Sequence, residues 1–134
     1  MASLLNPQIS PQDRKRLLAE GLESFRHGDF YAAHDAWEGV WRSTTPEPKD
    51  LLRGLIQIAA GLHLERDLDR PAAALHVLGR GRGHLETHGP TGLGLDLSAL
   101  ATKVAAIERW LAAGRPDPRP APPRLRLLDP EALA

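Results

Sequence analysis

The sequence contains no cysteine. This absence excludes disulfide bonds, thiolate zinc sites, iron–sulfur ligation and cysteine nucleophiles together. Any metal ion would therefore have to be held by histidine, aspartate and glutamate side chains.

Long apolar runs and an excess of one charge are also missing. The most apolar stretch, Leu55 to Leu64, is too short to cross a bilayer and contains Gln57. The N-terminus lacks the basic start and apolar run of a secretory signal, so we expect a cytoplasmic protein without a membrane segment. The 17 basic and 17 acidic residues balance at a net charge of zero, which argues against a dedicated nucleic-acid binder.

Familiar catalytic motifs are absent as well. The sequence has no Gly-x-Ser-x-Gly elbow and no dinucleotide-binding glycine fingerprint, so enzyme classes that depend on them are not supported. The run from Leu78 to His84 alternates glycine and arginine but lacks the lysine and hydroxyl of a phosphate-binding loop. We interpret it as a glycine-weakened helix with solvated Arg80 and Arg82. Nucleic-acid binding through these arginines and those of the tail is the weakest hypothesis.

What the sequence does contain predicts an all-α, single-domain helical bundle. Its length suits one domain, and apolar spacing with start and stop signals predicts about five helices. The expected helices run from Pro11 to about Arg26, Phe30 to about Ser43, Lys49 to Asp67, Pro71 onward, and Ser98 to Gly114. The first four form two helical hairpins, and Gly54 and Gly61 would let a neighbouring helix approach closely.

The C-terminal tail differs in kind from the bundle. Half of the 12 prolines lie between Pro116 and Pro130, which excludes a regular helix there. Leu125, Leu127 and Leu128 give the tail apolar side chains to bury. We therefore expect a helical bundle domain over residues 1–114 and an extended, proline-rich strap over residues 115–134 that packs against it, with Trp110 beneath the strap.

The densest group of informative residues lies in the second helix. Phe30, Trp37 and Trp41 share one stripe at about 100° per residue. His34 sits at the edge of that stripe, and Glu38 lies one turn further, within reach of the imidazole.

This cluster supports two hypotheses. In the first, His34, Glu38 and Trp41, with Gln57 and His63 of the third helix, form a polar cluster that fixes how the hairpins meet. The chain is then a non-enzymatic interaction or accessory module whose partner is another protein. In the alternative, the chain is a metal-dependent enzyme, such as a hydrolase, in which a divalent metal or an acid–base pair uses His34, Asp35 and Glu38 with His63.

Two residues of the third helix receive separate expectations. His63 is expected to be a hydrogen-bonded core residue, and Gln57 to link helices or line a small pocket. No catalytic residue is assigned, and His34, Glu38 and His63 are the candidate metal ligands.

Two motifs give the sequence a family resemblance. Gly28-Asp29-Phe30-Tyr31-Ala32-Ala33-His34-Asp35-Ala36-Trp37-Glu38-Gly39-Val40-Trp41-Arg42 and Leu52-Arg53-Gly54-Leu55-Ile56-Gln57-Ile58-Ala59-Ala60-Gly61-Leu62-His63 resemble the domain-of-unknown-function family 309, small bacterial and archaeal helical proteins. The resemblance spans roughly residues 13 to 90. It implies an all-α bundle, points again to His34, Glu38, Trp41, Gln57 and His63, and supplies no reaction. The family carries His-Glu where this chain has His34-Asp35.

Overall fold

A computed structural model of the chain describes residues 9–43, 47–129 and 131. Within these residues it contains five helices, each packed against the next along the chain: α1 Pro11–Arg26, α2 Phe30–Trp41, α3 Lys49–Arg66, α4 Pro71–His88 and α5 Leu97–Ala112. A two-residue antiparallel hairpin, β1 Thr91–Gly92 with β2 Leu95–Asp96, precedes α5. The predicted all-α bundle is confirmed.

The helices begin where capping chemistry allows. The side chain of Ser10 accepts a hydrogen bond from the backbone N–H of Asp13 at 3.0 Å, and Asp29 accepts one from Ala32 at 3.1 Å. The fifth helix is capped by Asp96, two residues before the expected Ser98. The carboxylate of Asp96 caps the helix as a serine hydroxyl would, by accepting a hydrogen bond from the Ala99 backbone N–H.

Two of the expected helix ends are slightly different in the structure. The second helix stops at Trp41, before Ser43, whose hydroxyl donates to the Val40 carbonyl at 2.6 Å. The third stops at Arg66, and Asp67 forms its C-cap. The end of a helix is the part that sequence patterns locate least well.

The fourth helix runs through the glycine-rich segment, where a glycine-weakened helix was predicted. It continues without a break through its glycines to His88. A Cβ on Gly81 would lie 3.0 Å from the carbonyl oxygen of Gly54, and a Cβ on Gly54 would lie 2.7 Å from Leu85 Cδ2. A Cβ on Gly61 would meet Leu78 Cγ at 2.6 Å. The expected close approach at Gly54 and Gly61 is thus present, and the backbones of α3 and α4 touch there.

The core of the first hairpin is aromatic. Trp37 is fully buried, and its indole N–H donates to the Leu18 carbonyl across the hairpin at 3.2 Å. The Phe25 ring lies 5.2 Å from Phe30 and 5.9 Å from Trp37, within the usual range for packed rings. Gly21 leaves the space that the indole occupies, because a Cβ there would lie 2.2 Å from Trp37 Nε1. Trp37 is therefore a packing residue.

The tail forms the predicted extended strap over its described residues. Leu125 is buried at 2% exposure, Leu127 bridges to Leu95, and the backbone N–H of Asp96 donates to the Arg126 carbonyl at 2.9 Å. The strap thereby joins the short hairpin before α5. Among the described residues, no helix is both long and apolar enough to cross a membrane.

The glycine contact gives a first prediction. Gly54→Ala inserts a methyl group against Leu85 and the Gly81 carbonyl, so overpacking should destabilise the protein by about 1–3 kcal/mol. That loss exceeds the helix-propensity gain of up to about 1 kcal/mol. The free energy of unfolding in urea measures the difference.

Gly83→Ala is the matched control on α4. A Cβ at Gly83 has no neighbour within 4 Å, so the variant should gain up to about 1 kcal/mol from helix propensity alone. If Gly54→Ala were also stabilising, the close contact between α3 and α4 would be wrong.

Candidate functional site

The residues shared with the family motifs lie along the seam between α2 and α3. Tyr31, His34, Glu38 and Trp41 occupy one side of α2 because they are spaced three or four residues apart. The Tyr31 ring lies 5.3 Å from the His63 ring, and the Arg53 guanidinium lies 5.2 Å over the Trp41 ring. These two contacts tie α2 to α3 at opposite ends of the stripe, with His34 and Glu38 between them.

His34 and Glu38 form the expected pair. His34 Nε2 lies 3.3 Å from Glu38 Oε2, and the two side chains are 29% and 30% exposed. Arg42 approaches the other oxygen of Glu38 at 3.5 Å. The pair runs along α2 itself, so the contacts that cross to α3 are made by Tyr31 and Trp41. Asp35 is exposed and belongs to no ion pair formed by the described residues.

His63 differs from the expected core histidine. Its side chain is 24% exposed, and Nδ1 lies 2.8 Å from Asp67 Oδ2, one turn further along the chain. Asp67 also accepts a hydrogen bond from Arg66 Nε at 3.0 Å. These hydrogen bonds, from Arg66 first and His63 second, hold the pKa of the Asp67 carboxyl below its ordinary value.

Arg66 carries this polar chain from the seam to the turn between α1 and α2. Its guanidinium donates to the Gly28 carbonyl and lies 4.5 Å over the Phe30 ring. Tyr31, His63, Asp67, Arg66 and Gly28 therefore form one contiguous series of contacts. We call this series the seam relay.

Gln57 does not make the helix-linking hydrogen bond expected of its oxygen. Oε1 is buried and has no hydrogen-bond partner among the residues that the structure describes. Most buried polar atoms are paired, so this oxygen is an unusual feature of the seam.

The seam holds two separate His–carboxylate pairs. Over residues 9–43, 47–129 and 131, no three His, Cys, Asp or Glu residues lie where they could hold one metal ion. Protein sites for zinc generally supply three or four ligands. The donors expected to converge, His34, Glu38 and His63, are instead divided between the two pairs.

A buried carboxylate on α3 anchors the strap. Glu65 is 5% exposed, and its two oxygens each accept a hydrogen bond from Arg119 at 2.8 Å. Arg115 lies 3.7 Å from the same carboxylate. Glu65 raises the pKa of the Arg119 guanidinium through these hydrogen bonds. Such two-pronged pairs are among the strong charged contacts in proteins.

Arg119 also covers Trp110. Its guanidinium lies 4.8 Å over the ring, and the indole N–H donates to the Pro116 carbonyl at 2.7 Å. Trp110 thus lies beneath the strap but is only half-buried, whereas the sequence predicted a core residue there. Sequence reasoning missed Glu65, although its spacing from Ile58 and Leu62 places it on the buried stripe of α3.

Two hollows flank the strap. A mostly apolar cavity of about 350 Å³ lies beneath Arg119 and Pro120, between the ends of α3 and α5. An open groove of about 1150 Å³ lies on the other side, walled by the α1–α2 turn, the start of α5 and strap residues 121–126. Arg66 lines both hollows. We call the larger one the strap groove.

In the glycine–arginine run on α4, Arg82 forms ion pairs and is not solvated as expected. Arg82 bonds Glu108 of α5 at 2.5 Å and Glu86 at 2.8 Å, and these hydrogen bonds raise the pKa of its guanidinium. His84 lies 3.1 Å from Asp50 of α3. Of the two arginines in this run, Arg80 and Arg82, only Arg80 is exposed.

The fold and the seam define a small all-α protein in which α2 and α3 carry the distinguishing residues. Residues 18–77 match the family model described as Domain of unknown function (DUF309). The chain is similar to this family over that segment, which covers α2, α3 and parts of α1 and α4. No curated protein and no solved structure matches the chain.

The divided donors give a second prediction. Because each His–carboxylate pair supplies only two ligands, zinc, manganese or iron added to untagged protein should leave the thermal midpoint essentially unchanged. Differential scanning fluorimetry measures the shift. His34→Ala is the control, since a metal-induced rise in the wild type that this variant lacks would restore the metal hypothesis.

The anchor at Glu65 gives a third. Arg119→Ala leaves a buried carboxylate with only the more distant Arg115, so the variant should lose about 1–3 kcal/mol of stability. The released strap should also be cut faster by trypsin after Arg124 and Arg126, whereas Pro116 and Pro120 protect the bonds after positions 115 and 119.

Arg80→Ala is the control for that experiment. Arg80 is exposed and lies outside the strap, so its removal should change neither stability nor the rate of strap cleavage. Equal trypsin sensitivity in the two variants would show that Arg119 does not hold the strap.

Proposed function

We propose that this chain is a cytoplasmic, non-enzymatic interaction module that binds another protein in the strap groove. The seam between α2 and α3 is its structural brace. The groove supplies a recognition surface, and the cluster of His34, Glu38 and Trp41 supports the helices that shape it.

The observation that carries the proposal is the seam relay. It runs without interruption from Tyr31 and His63, on the family's motif helices, to Arg66, which bonds the Gly28 carbonyl. Gly28 and Arg66 both line the strap groove. Tyr31 and His63, within the segment that matches the family, are thus connected to a wall of the groove, and this role requires no reaction.

The form of the groove also favours a macromolecular partner. At about 1150 Å³ it is larger than the usual pocket for a small molecule, roughly 300–1,000 Å³. Its walls come from three distant parts of the chain. An extended segment of another protein could lie along it.

Site-specific photocrosslinking in the native cell tests the proposal. Ala99 is exposed on the groove wall, and Ala72 is exposed on α4 outside the groove. Benzoylphenylalanine at position 99 should yield a discrete protein adduct on irradiation, because a bound partner would lie within reach of the probe. The same residue at position 72 should not.

Gel shift and mass spectrometry read out the adducts. The absence of a position-99 adduct, or equal adducts from both positions, would contradict the proposed function.

A further inference from the structure

Positive charge is concentrated in the strap groove although the chain is neutral overall. One imidazole and five arginine or lysine side chains line it: His27, Arg26, Arg66, Lys103, Arg124 and Arg126. Asp96 is the acidic residue among the lining side chains, and its carboxylate already accepts a hydrogen bond from Ala99 at the start of α5.

Four of these cations have no internal counter-charge. Arg26, Lys103, Arg124 and Arg126 are all exposed, and none forms an ion pair with an acidic side chain within the described ranges. In contrast, Arg119 and Arg82 are matched to glutamates. The groove therefore presents charge that remains available to a ligand, and clustered charge of one sign attracts the opposite sign.

The floor of the groove is apolar. Phe25, Phe30 and Leu125 lie beneath it and are buried, whereas Ala99, Ala121 and Pro122 are exposed apolar residues between the charged rims. A complementary ligand would combine carboxylates along its length with apolar side chains that pack against these exposed groups. Buried apolar anchors within a polar rim are the usual arrangement of protein interfaces.

The same floor disfavours nucleic acid as the ligand. Proteins that hold single strands offer exposed aromatic rings on which bases stack. Both rings lining this groove, Phe25 and Phe30, are 3% exposed and pack against each other. The cations alone could contact phosphates, but the floor offers bases nothing to stack on.

We infer that the strap groove binds an extended acidic segment of a partner protein, with apolar residues interspersed among its carboxylates. This inference rests on the proposed function and names the chemistry of the partner. Rim charges set the rate and selectivity of encounter, while apolar anchors supply affinity.

Fluorescence anisotropy with defined probes tests the inference on the full chain. A labelled peptide of Glu-Glu-Leu repeats should bind saturably and weaken as salt is raised. A Glu-Glu-Gly peptide of equal charge should bind more weakly because it lacks anchors, and a Lys-Lys-Leu peptide should not bind. Oligothymidylate and oligouridylate of comparable charge serve as the nucleic-acid probes.

Matched charge reversals locate the binding site. Arg124→Glu with Arg126→Glu should weaken binding of the Glu-Glu-Leu peptide by about tenfold or more. Arg70→Glu with Arg80→Glu makes the same change of charge at exposed positions outside the groove and should weaken it by no more than about twofold. Thermal melts verify that both variants fold. If Arg124→Glu with Arg126→Glu does not fold, Arg124→Gln with Arg126→Gln takes its place in the experiment.

The outcomes separate the two proposals. Equal weakening by both reversals, or tighter binding of an oligonucleotide than of the peptide, would overturn the inferred partner chemistry. If photocrosslinking from Ala99 captures a protein while Glu-Glu-Leu does not bind, the inference fails and the proposed function stands. If neither crosslinking nor peptide binding occurs, both fail.

Discussion

The shape of the strap groove depends on one ion pair, between the buried Glu65 of α3 and the exposed Arg119 of the strap. A carboxylate at 5% exposure is unfavourable without a partner. The cation that compensates it lies 54 residues later in the chain. Since a proline-rich segment forms no regular structure to hold itself in place, this pair fixes the strap above Trp110. Leu125 and the bridge at Leu127 then complete its attachment.

The seam and the strap meet at consecutive residues of α3. Glu65 reaches the strap, Arg66 reaches the α1–α2 turn, and Asp67 joins Arg66 to His63. The last turn of α3 is therefore the point at which the family's motif helices, the first hairpin and the tail are held together. Arg66 is the residue that joins the seam relay to the wall of the strap groove.

Much of the fold could be predicted from the sequence, since it depends on local signals. Caps such as Ser10 and Asp29, prolines at helix starts and the spacing of apolar residues specify α1 to α3 almost to the residue. The packing role of Gly81 could not be predicted from α4 alone, because it depends on the contact with Gly54 of the neighbouring helix. The pairing of His34 with Glu38, in contrast, is local. The contact between His63 and Tyr31 is not local, because it depends on how α2 packs against α3.

The strap groove could not be predicted, because its charge comes from segments that are far apart in sequence. Arg26, Lys103 and Arg124 are unremarkable singly, and the total charge of zero conceals their convergence. A neutral chain can still present a basic groove when its exposed cations and acids lie on different parts of the surface. Arg26, Lys103 and Arg124 converge on the strap groove, whereas exposed acids such as Asp35 and Asp117 lie outside it. The fold therefore separates the charges of a balanced composition in space.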